Sequence, residues 1–312
     1  GLRVNEKFRI AILGIGGVGG YFGGKLAAYF ADSKTVEIIF MARGENAKVI
    51  KENGLKVITT NSQLIAKPHL VANEASEIGV VDVFLICTKA YDLEESVIKF
   101  KDCIAEQTAI LPLLNGVDNS ERIKQIVPNA EVWQGCAYIA SRLIEPGIIK
   151  VDSEIKLLQF GSSGGNKEKL KLFEKLLKSA EIDVELKNDI DKTIWEKFIF
   201  ISSLATLTSF LDTNAGGINA SGENQKLLTD LITEVTNLAK GKQIKVDENI
   251  AQITLERIKG MNGEITSSMH SDFQKKGKTE LESLTGFVVK EAESLGLAAL
   301  NYQSLYAELK KR

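Results

Sequence analysis

The segment IAILGIGGVGGYFGGK, which begins at Ile10, limits the possible folds more than any other stretch of the chain. A β-branched run ends at Gly14, and Gly14, Gly16 and Gly19 then follow at G-x-G-x-x-G spacing as a helical pattern opens. Gly14 permits a tight turn, Gly16 lets the backbone approach a pyrophosphate, and Gly19 lets the helix lie close to the strand. Free amides at the start of that helix attract phosphate charge. Gly14, Ile15, Gly16, Gly17, Val18 and Gly19 are therefore the expected dinucleotide loop; without a ligand the same residues are only a glycine-rich turn.

The segments FRIAIL, VEIIFMA, VVDVFLICT, AILPLLNG and EVWQGCAYIA alternate with helical patterns such as LEESVIKFKDCI and NSERIKQIV. Strand and helix in alternation specify a parallel sheet with helices on both faces. GIIKVDSEIKLLQFG reads as a hairpin, followed by the helix KEKLKLFEKLLKSAE and a last strand, IDVEL. After Asn188 the strand signals stop, and the pattern is helical to Arg312. The expected fold is α/β, a Rossmann-type doubly wound sheet over residues 1–188, followed by an all-α C-terminal domain over residues 189–312.

A chain of 312 residues, 44% of them hydrophobic, can bury the cores of two domains. Its 39 basic and 41 acidic residues nearly cancel, which leaves no field to draw nucleic acid or an anionic membrane. The expected partner is a small molecule. Cys87, Cys103 and Cys136 stand at wide spacings that fit neither a zinc pattern nor a disulfide framework, and suit a reducing cytoplasm. With His69 and His270 as its only histidines, the chain is expected to hold no metal. No signal peptide opens the sequence, and Gly1 in place of methionine reads as a trimmed tag. The apolar run FIFISSLATLTSFL has 14 residues, five of them hydroxylic, and is shorter than the roughly 20 a membrane span needs. It is expected to be a buried helix.

In an open α/β sheet, ligands sit outside the carboxyl ends of the strands. Where an NAD site would place an acid after the second strand, IIFMARGEN offers Arg43, whose guanidinium suits the 2′-phosphate of NADP. VFLICTKA ends in Lys89 and ILPLLNG in Asn115, followed by Gly116. These would gather with Gly14 at one sheet edge. The alternatives are an arginine solvated on its loop, an ordinary strand-end lysine and a turn-forming Asn-Gly.

Lys197 is a cation at the head of the apolar run FIFISSLATLTSFL, in the segment TIWEKFIFISSLATLTSFL. Partial burial lowers a lysine's pKa from its usual value of about 10.4 and makes it a better proton donor. Such a donor lowers the barrier to hydride addition at a ketone by neutralising the charge that grows on oxygen. The alternative is a lysine that extends its ammonium into water over Trp195.

Together these residues resemble the ketopantoate reductases (2-dehydropantoate 2-reductases). The resemblance runs over nearly the whole chain: the glycine loop, the arginine after the second strand, the TKA and NG strand ends, W-x-K at the head of the helical half, and SSMHSDFQKKGKTELESLTG. It implies NADP(H) as cofactor and reduction of a 2-oxo acid at its ketone, in a cleft between the domains, as in pantothenate biosynthesis. Lys197 matches the family's general acid, Glu280 its substrate-binding glutamate, and Ser268, the second serine of S-S-M, its substrate serine. The family's cofactor contacts match the Gly14 loop, Arg43, Lys89 and Asn115, the last also near the substrate. Ala140 falls at a further backbone contact to the cofactor.

Some of these residues also read otherwise. Thr279 and Glu282 form a capping box that would make Glu280 a first-turn acid, and Ser267 or Ser268 can cap the next helix upstream. The family gives His270 no role; His69 reads as structural or exposed, and Asp272 as orienting its neighbours or facing solvent. Where the family carries substrate-binding asparagines, this chain has Ile201, Ala205 and either Asn214 or Ala215. The substrate is thus 2-dehydropantoate or a less polar 2-oxo acid. A regulatory NADP(H)-binding protein is the rival of another class, and the pairing of Lys197 with Glu280 argues against it. Apolar helix faces in the second domain are expected to pack against the first domain or against a twin in a homodimer.

Overall fold

A computed structural model describes residues 6–312. The chain divides into two compact units, one running to Leu114 and resuming over Asp118–Ile190, the other made of Asn115–Val117 and Asp191–Arg312. The first unit opens with β1 (Phe8–Leu13), α1 (Gly17–Tyr29), β2 (Val36–Met41), α2 (Gly44–Asn53), β3 (Leu55–Ile58), β4 (Gln63–Ala66), β5 (Leu70–Ala72) and α3 (Ala75–Ile78). It continues with β6 (Val83–Ile86), α4 (Leu93–Lys99), β7 (Ala109–Pro112), α5 (Asn119–Ile126), β8 (Glu131–Val132) and β9 (Gln134–Tyr138). It closes with β10 (Ser141–Glu145), β11 (Ile148–Val151), β12 (Leu157–Gly161), α6 (Lys167–Ser179) and β13 (Asp183–Leu186).

Six strands form an all-parallel sheet in the order β5-β2-β1-β6-β7-β8. The order reverses between β1 and β6, and this switch point lies at the carboxyl ends where Gly14 and Lys89 stand. Residues such as Ile10, Ile12, Ile39, Phe84 and Leu85 are wholly buried, divided between core clusters on the two faces. This is the Rossmann-type arrangement expected from the alternating pattern.

Two smaller sheets complete the unit, one ordered β10-β11-β3-β4 and the other β13-β12-β9. The hairpin read in GIIKVDSEIKLLQFG does not form, because its two strands belong to different sheets. Gly147, at φ +76°, turns the chain so that β11 pairs antiparallel with β10 and parallel with β3, whereas β12 pairs with β9 and β13. EVWQGCAYIA is likewise two strands. Its break is Trp133, fully buried against Phe160 and Phe173, which carries the chain from the parallel sheet into the third sheet.

Helix α1 is glycine-rich because it is covered on two sides. Toward the parallel sheet, a Cβ at Gly23 would lie 3.1 Å from Phe40. Toward the second sheet, a Cβ at Gly17 would lie 2.3 Å from the backbone oxygen of Ser141, and one at Gly20 2.6 Å from Ile149. Glycine lets both layers close on one helix.

The second unit contains α7 (Ile190–Leu211), α8 (Ala215–Asn219), α9 (Gly222–Gly241), α10 (Ile250–Lys259), α11 (Ser268–Gln274), α12 (Phe287–Ser294) and α13 (Leu300–Leu309). Its described residues contain no strand. A π-helical turn, Glu282–Gly286, leads into α12, its register marked by the Phe287 amide donating to the Glu282 carbonyl. By length and composition α7 could cross a membrane, but 78% of its most apolar window is buried within the protein. Its hydroxyls bond inward: Ser202 Oγ donates to Leu284 O at 2.5 Å, and Thr206 meets Thr285 at 2.7 Å.

Gly17→Ala tests the closure of α1 on the second sheet. The new methyl meets a backbone carbonyl that cannot rotate away, so destabilisation of about 1–3 kcal/mol is expected, as for overpacking in a core. Denaturant unfolding followed by circular dichroism measures it.

Candidate active site

The glycine turn has the geometry the motif requires. Gly14 lies at φ +90°, where a Cβ would lie 2.8 Å from the Cys87 carbonyl oxygen, and a Cβ at Gly19 would lie 2.0 Å from Gly14 O. A Cβ at Gly16 would meet nothing within 4 Å, so this part of the turn is open to a ligand. A side chain absent from the motif pins it. Asn46 Nδ2 donates to Ile15 O at 2.9 Å while its Oδ1 accepts from the Gly147 amide at 2.7 Å, tying the turn to the β10–β11 connection.

Gly14, Ile15, Arg43, Asn46, Thr88 and Lys89 line a cleft of about 420 Å³ at this edge. An adjoining hollow of about 310 Å³ adds Lys48 and Lys51 beside Arg43. Of the expected cofactor residues, Gly14, Ile15, Arg43 and Lys89 thus line one cleft, and residues 16–19 follow directly in the chain. Thr88 Oγ1 is buried with no hydrogen-bond partner, a cost that a bound polar ligand would relieve. The open Gly16, the unsatisfied Thr88 and the cations fit a dinucleotide with an extra phosphate. Burial pushes the Cys87 thiol, beneath the turn, up to about 12, so it is no nucleophile at neutral pH.

Helix α5 sets the two strand ends that follow. Arg122 donates to Ala90 O at 2.6 Å and pairs with Glu94, fixing the chain just after Lys89. Asn119 Nδ2 donates to Leu114 O at 3.1 Å, fixing the chain just before Asn115. At Ala140 the backbone is already engaged within the protein. Its amide donates to Ser153 Oγ and its carbonyl accepts from the Asp152 amide, both at 2.8 Å, so only a carbonyl lone pair is left for a cofactor.

In the second unit, Lys197 is 8% exposed and its Nζ donates to Asn115 Oδ1 at 3.1 Å. The ammonium does not extend into water. Phe198 packs edge-on to Trp195 and to Phe287, and Trp195 and Phe287 meet at a tilt, making this part of α7 apolar. Glu280 is also buried, 6% exposed, just before the π-turn. The expected capping box is only half formed. Thr279 Oγ1 accepts from the Leu281 amide, but the π-turn swings Glu282 outward, where its carboxylate accepts from Tyr306 Oη at 2.6 Å and from Lys290 Nζ at 3.2 Å.

Ser267, not Ser268, caps α11: its Oγ accepts from the His270 amide at 3.0 Å and bonds to Thr208 at 2.7 Å. Ser268 is left exposed at the first position of the helix. His270 is buried, with Nε2 donating to Asp212 Oδ1 at 2.7 Å and Nδ1 lying 2.6 Å from Thr266 Oγ1. Its ring is a structural link, and the hydrogen bond it gives holds the Asp212 carboxyl below the usual carboxylate range. Asp272 offers its carbonyl to the Gly277 amide just beyond α11. His69 is structural, its Nδ1 accepting from the Ile38 amide at 3.0 Å. Where the family has asparagines, Ile201 is half-buried, Ala205 is 1% exposed, and Asn214 is used as the cap of α8.

Asn46, Arg122 and the π-turn have no signal in the sequence; Thr88 stands in the TKA strand end, but the burial of its hydroxyl has none. Asn46 and Arg122 act on carbonyls and amides distant in the chain, and the other two depend on packing.

A nucleotide-binding sheet whose partner unit buries a lysine defines an oxidoreductase of the two-domain reductase type. A family model described as "Ketopantoate reductase PanE/ApbA" matches residues 10–165, and one described as "Ketopantoate reductase PanE/ApbA C terminal" matches residues 189–312. The chain belongs to the ketopantoate reductase family, oxidoreductases that act on CH–OH groups and bind NADPH. It is similar to the crystal structure of 2-dehydropantoate 2-reductase from Porphyromonas gingivalis W83, at 35% identity and a TM-score of 0.86, covering 97% of this chain and 99% of that one. It is 28% identical over 302 residues to YkpB, an uncharacterized oxidoreductase of Bacillus subtilis (strain 168), covering 96% of this chain and 97% of the relative. It is 26% identical over 225 residues to the 2-dehydropantoate 2-reductase of Aquifex aeolicus (strain VF5), covering 70% of this chain and 72% of the relative.

Asn46→Ala should weaken NADPH binding by about tenfold, the effect of losing a part-buried pair of hydrogen bonds that holds the turn. Titration of NADPH fluorescence measures it, and unchanged affinity would remove Asn46 from the site.

Proposed function

We propose that the protein reduces 2-dehydropantoate to pantoate with NADPH. The observation that carries this reading is the buried Lys197 ammonium held on Asn115 Oδ1. Bound NADPH supplies the hydride. Lys197 gives its proton to the ketone oxygen as charge develops there, and its apolar surroundings favour the neutral amine that remains. Asn115 aims the ammonium, fixing which way the proton leaves. Glu280, a buried carboxylate, accepts a hydrogen bond from the substrate's hydroxyl, and Ser268 offers a hydroxyl to its polar end. The glycine turn and Lys89 hold the cofactor's phosphates, and Arg43 takes the 2′-phosphate.

Ile201 and Ala205 favour a second reading, a less polar 2-oxo acid. A wall without amides discriminates weakly between a substrate with a hydroxyl and one without, whereas a buried carboxylate discriminates strongly. Glu280 therefore weighs for a hydroxylated substrate, and the apolar residues suit the two methyl groups that 2-dehydropantoate also carries.

NADPH oxidation with 2-dehydropantoate and a panel of alkyl 2-oxo acids tests both readings: preference for alkyl acids selects the second, and turnover of none overturns both. Lys197→Met should lower kcat by about 10²–10⁴, the usual contribution of a general acid, with NADPH affinity within about twofold. An unchanged rate would take Lys197 out of the chemistry. Arg43→Ala should weaken NADPH at least tenfold more than NADH, the order of one charge-assisted phosphate contact; equal losses for the two cofactors would end its 2′-phosphate role.

A further inference from the structure

The helix that leads from Glu280 into α12 changes register at Glu282–Gly286, where the Glu280 carbonyl accepts from the Leu284 amide four residues on and the Glu282 carbonyl from the Phe287 amide five residues on. A π-turn inserts one residue, so everything before it is rotated by about 100° relative to the helix after it. Glu280 is buried and Glu282, two residues later, is exposed. A continuous α-helix drawn back from α12 would not put Glu280 in the same place.

Because π-turns are rare and less favourable than α-helix, one that persists needs outside support. Here the support comes from two helices. On α7, Ser202 Oγ donates to Leu284 O at 2.5 Å, and since that uses its only hydrogen, Tyr302 Oη must donate to it, at 2.7 Å. One helical turn later, Thr206 Oγ1 and Thr285 Oγ1 lie 2.7 Å apart. Ser202, Thr206, Thr285 and Tyr302 are all fully buried. On α13, Tyr306 Oη donates to both oxygens of Glu282, at 2.6 and 2.8 Å. A Cβ at Gly286 would lie 3.0 Å from the Tyr306 ring, so glycine there lets the tyrosine reach the turn. Ser202 and Thr206 lie on the same helix as Lys197, five and nine residues further along.

We propose that this clamped π-turn is the device that sets Glu280 against substrate, with Ser202, Thr206, Thr285 and Tyr306 as positioning residues. It rests on the reading of Glu280 as the substrate-binding carboxylate. The hydroxyls on α7 tie the strand of chain bearing Glu280 to the helix bearing Lys197, so the acid that donates the proton and the carboxylate that holds the substrate share one rigid support. The Thr206–Thr285 bond is the most direct part of the clamp, because both its partners are side chains of matched size to valine.

Thr285→Val and Thr206→Val remove the bond with little change in shape, and Thr285→Ser keeps the hydroxyl. Each is measured for KM and kcat with the best 2-oxo acid, for melting temperature, and for labelling of Glu280 by carbodiimide and glycine ethyl ester, read by mass spectrometry. The valine variants should raise KM about five- to tenfold, the scale of one buried hydrogen bond, with kcat within about twofold and Glu280 labelled more readily. Thr285→Ser should restore both. A lower melting temperature with unchanged KM and unchanged Glu280 labelling would make the clamp merely structural and overturn the proposal. If wild-type protein turns over no 2-oxo acid, the functional reading fails by itself, and the labelling alone decides whether the clamp positions Glu280: increased labelling upholds it, and unchanged labelling overturns it.

Discussion

A lysine ammonium taken out of water costs on the order of several kcal/mol unless something replaces its hydration, and the helical unit is organised around that cost at Lys197. Helix α7 has to be apolar to form the centre of the unit, yet it carries this cation near its first turns. Asn115 brings in the amide oxygen that receives the ammonium, and it does so from the turn after β7, which groups with the helices rather than with its own sheet. The aromatic trio of Trp195, Phe198 and Phe287 keeps water from this part of the helix. The amide oxygen of Asn115 orients the ammonium without itself taking the proton.

The same helix explains why its hydroxyls are not a departure from its apolar character. Ser203 bonds back to Ile199 O within the helix, and Thr208 bonds back to Leu204 O as well as meeting Ser267, the cap of α11. Ser202 and Thr206 instead reach across to the π-turn. The nucleotide half shows a parallel economy in α1. Its glycines serve three purposes at once: the phosphate turn, the approach to the parallel sheet, and the approach to the second sheet. Asn46 then links the turn to that second sheet, so the ligand-facing backbone is held from behind as well as from its own strand.

The parallel sheet was legible because strands buried on both faces are nearly continuous apolar runs, as FRIAIL and VEIIFM are apart from the half-buried Arg9 and Glu37. The second sheet was not, because β3 and β4 have four residues each with polar neighbours, and β10 is largely exposed. The hairpin reading failed for the same reason: periodicity marks where a strand is, and its partner is chosen by turns such as Gly147 and by side chains such as Trp133. The glycine loop, Arg43 and Lys89 were visible because strand ends collect at one edge whatever the loops do. Asn46 was invisible, since the residue it holds at Gly147 is 101 positions away. The capping box misled because the sequence TELESLTG fits an α-helical start equally well, and nothing in it declares a fifth-residue register.

That register has an energetic meaning. A segment able to form an ordinary α-helix would relax to one unless the frame shift brought a compensating return. Each buried hydrogen bond of the clamp contributes on the order of 1 kcal/mol, and together they are comparable to the cost of one irregular turn. The clamp bonds are therefore what hold the shifted frame, and with it the buried position of Glu280, against relaxation to a continuous α-helix.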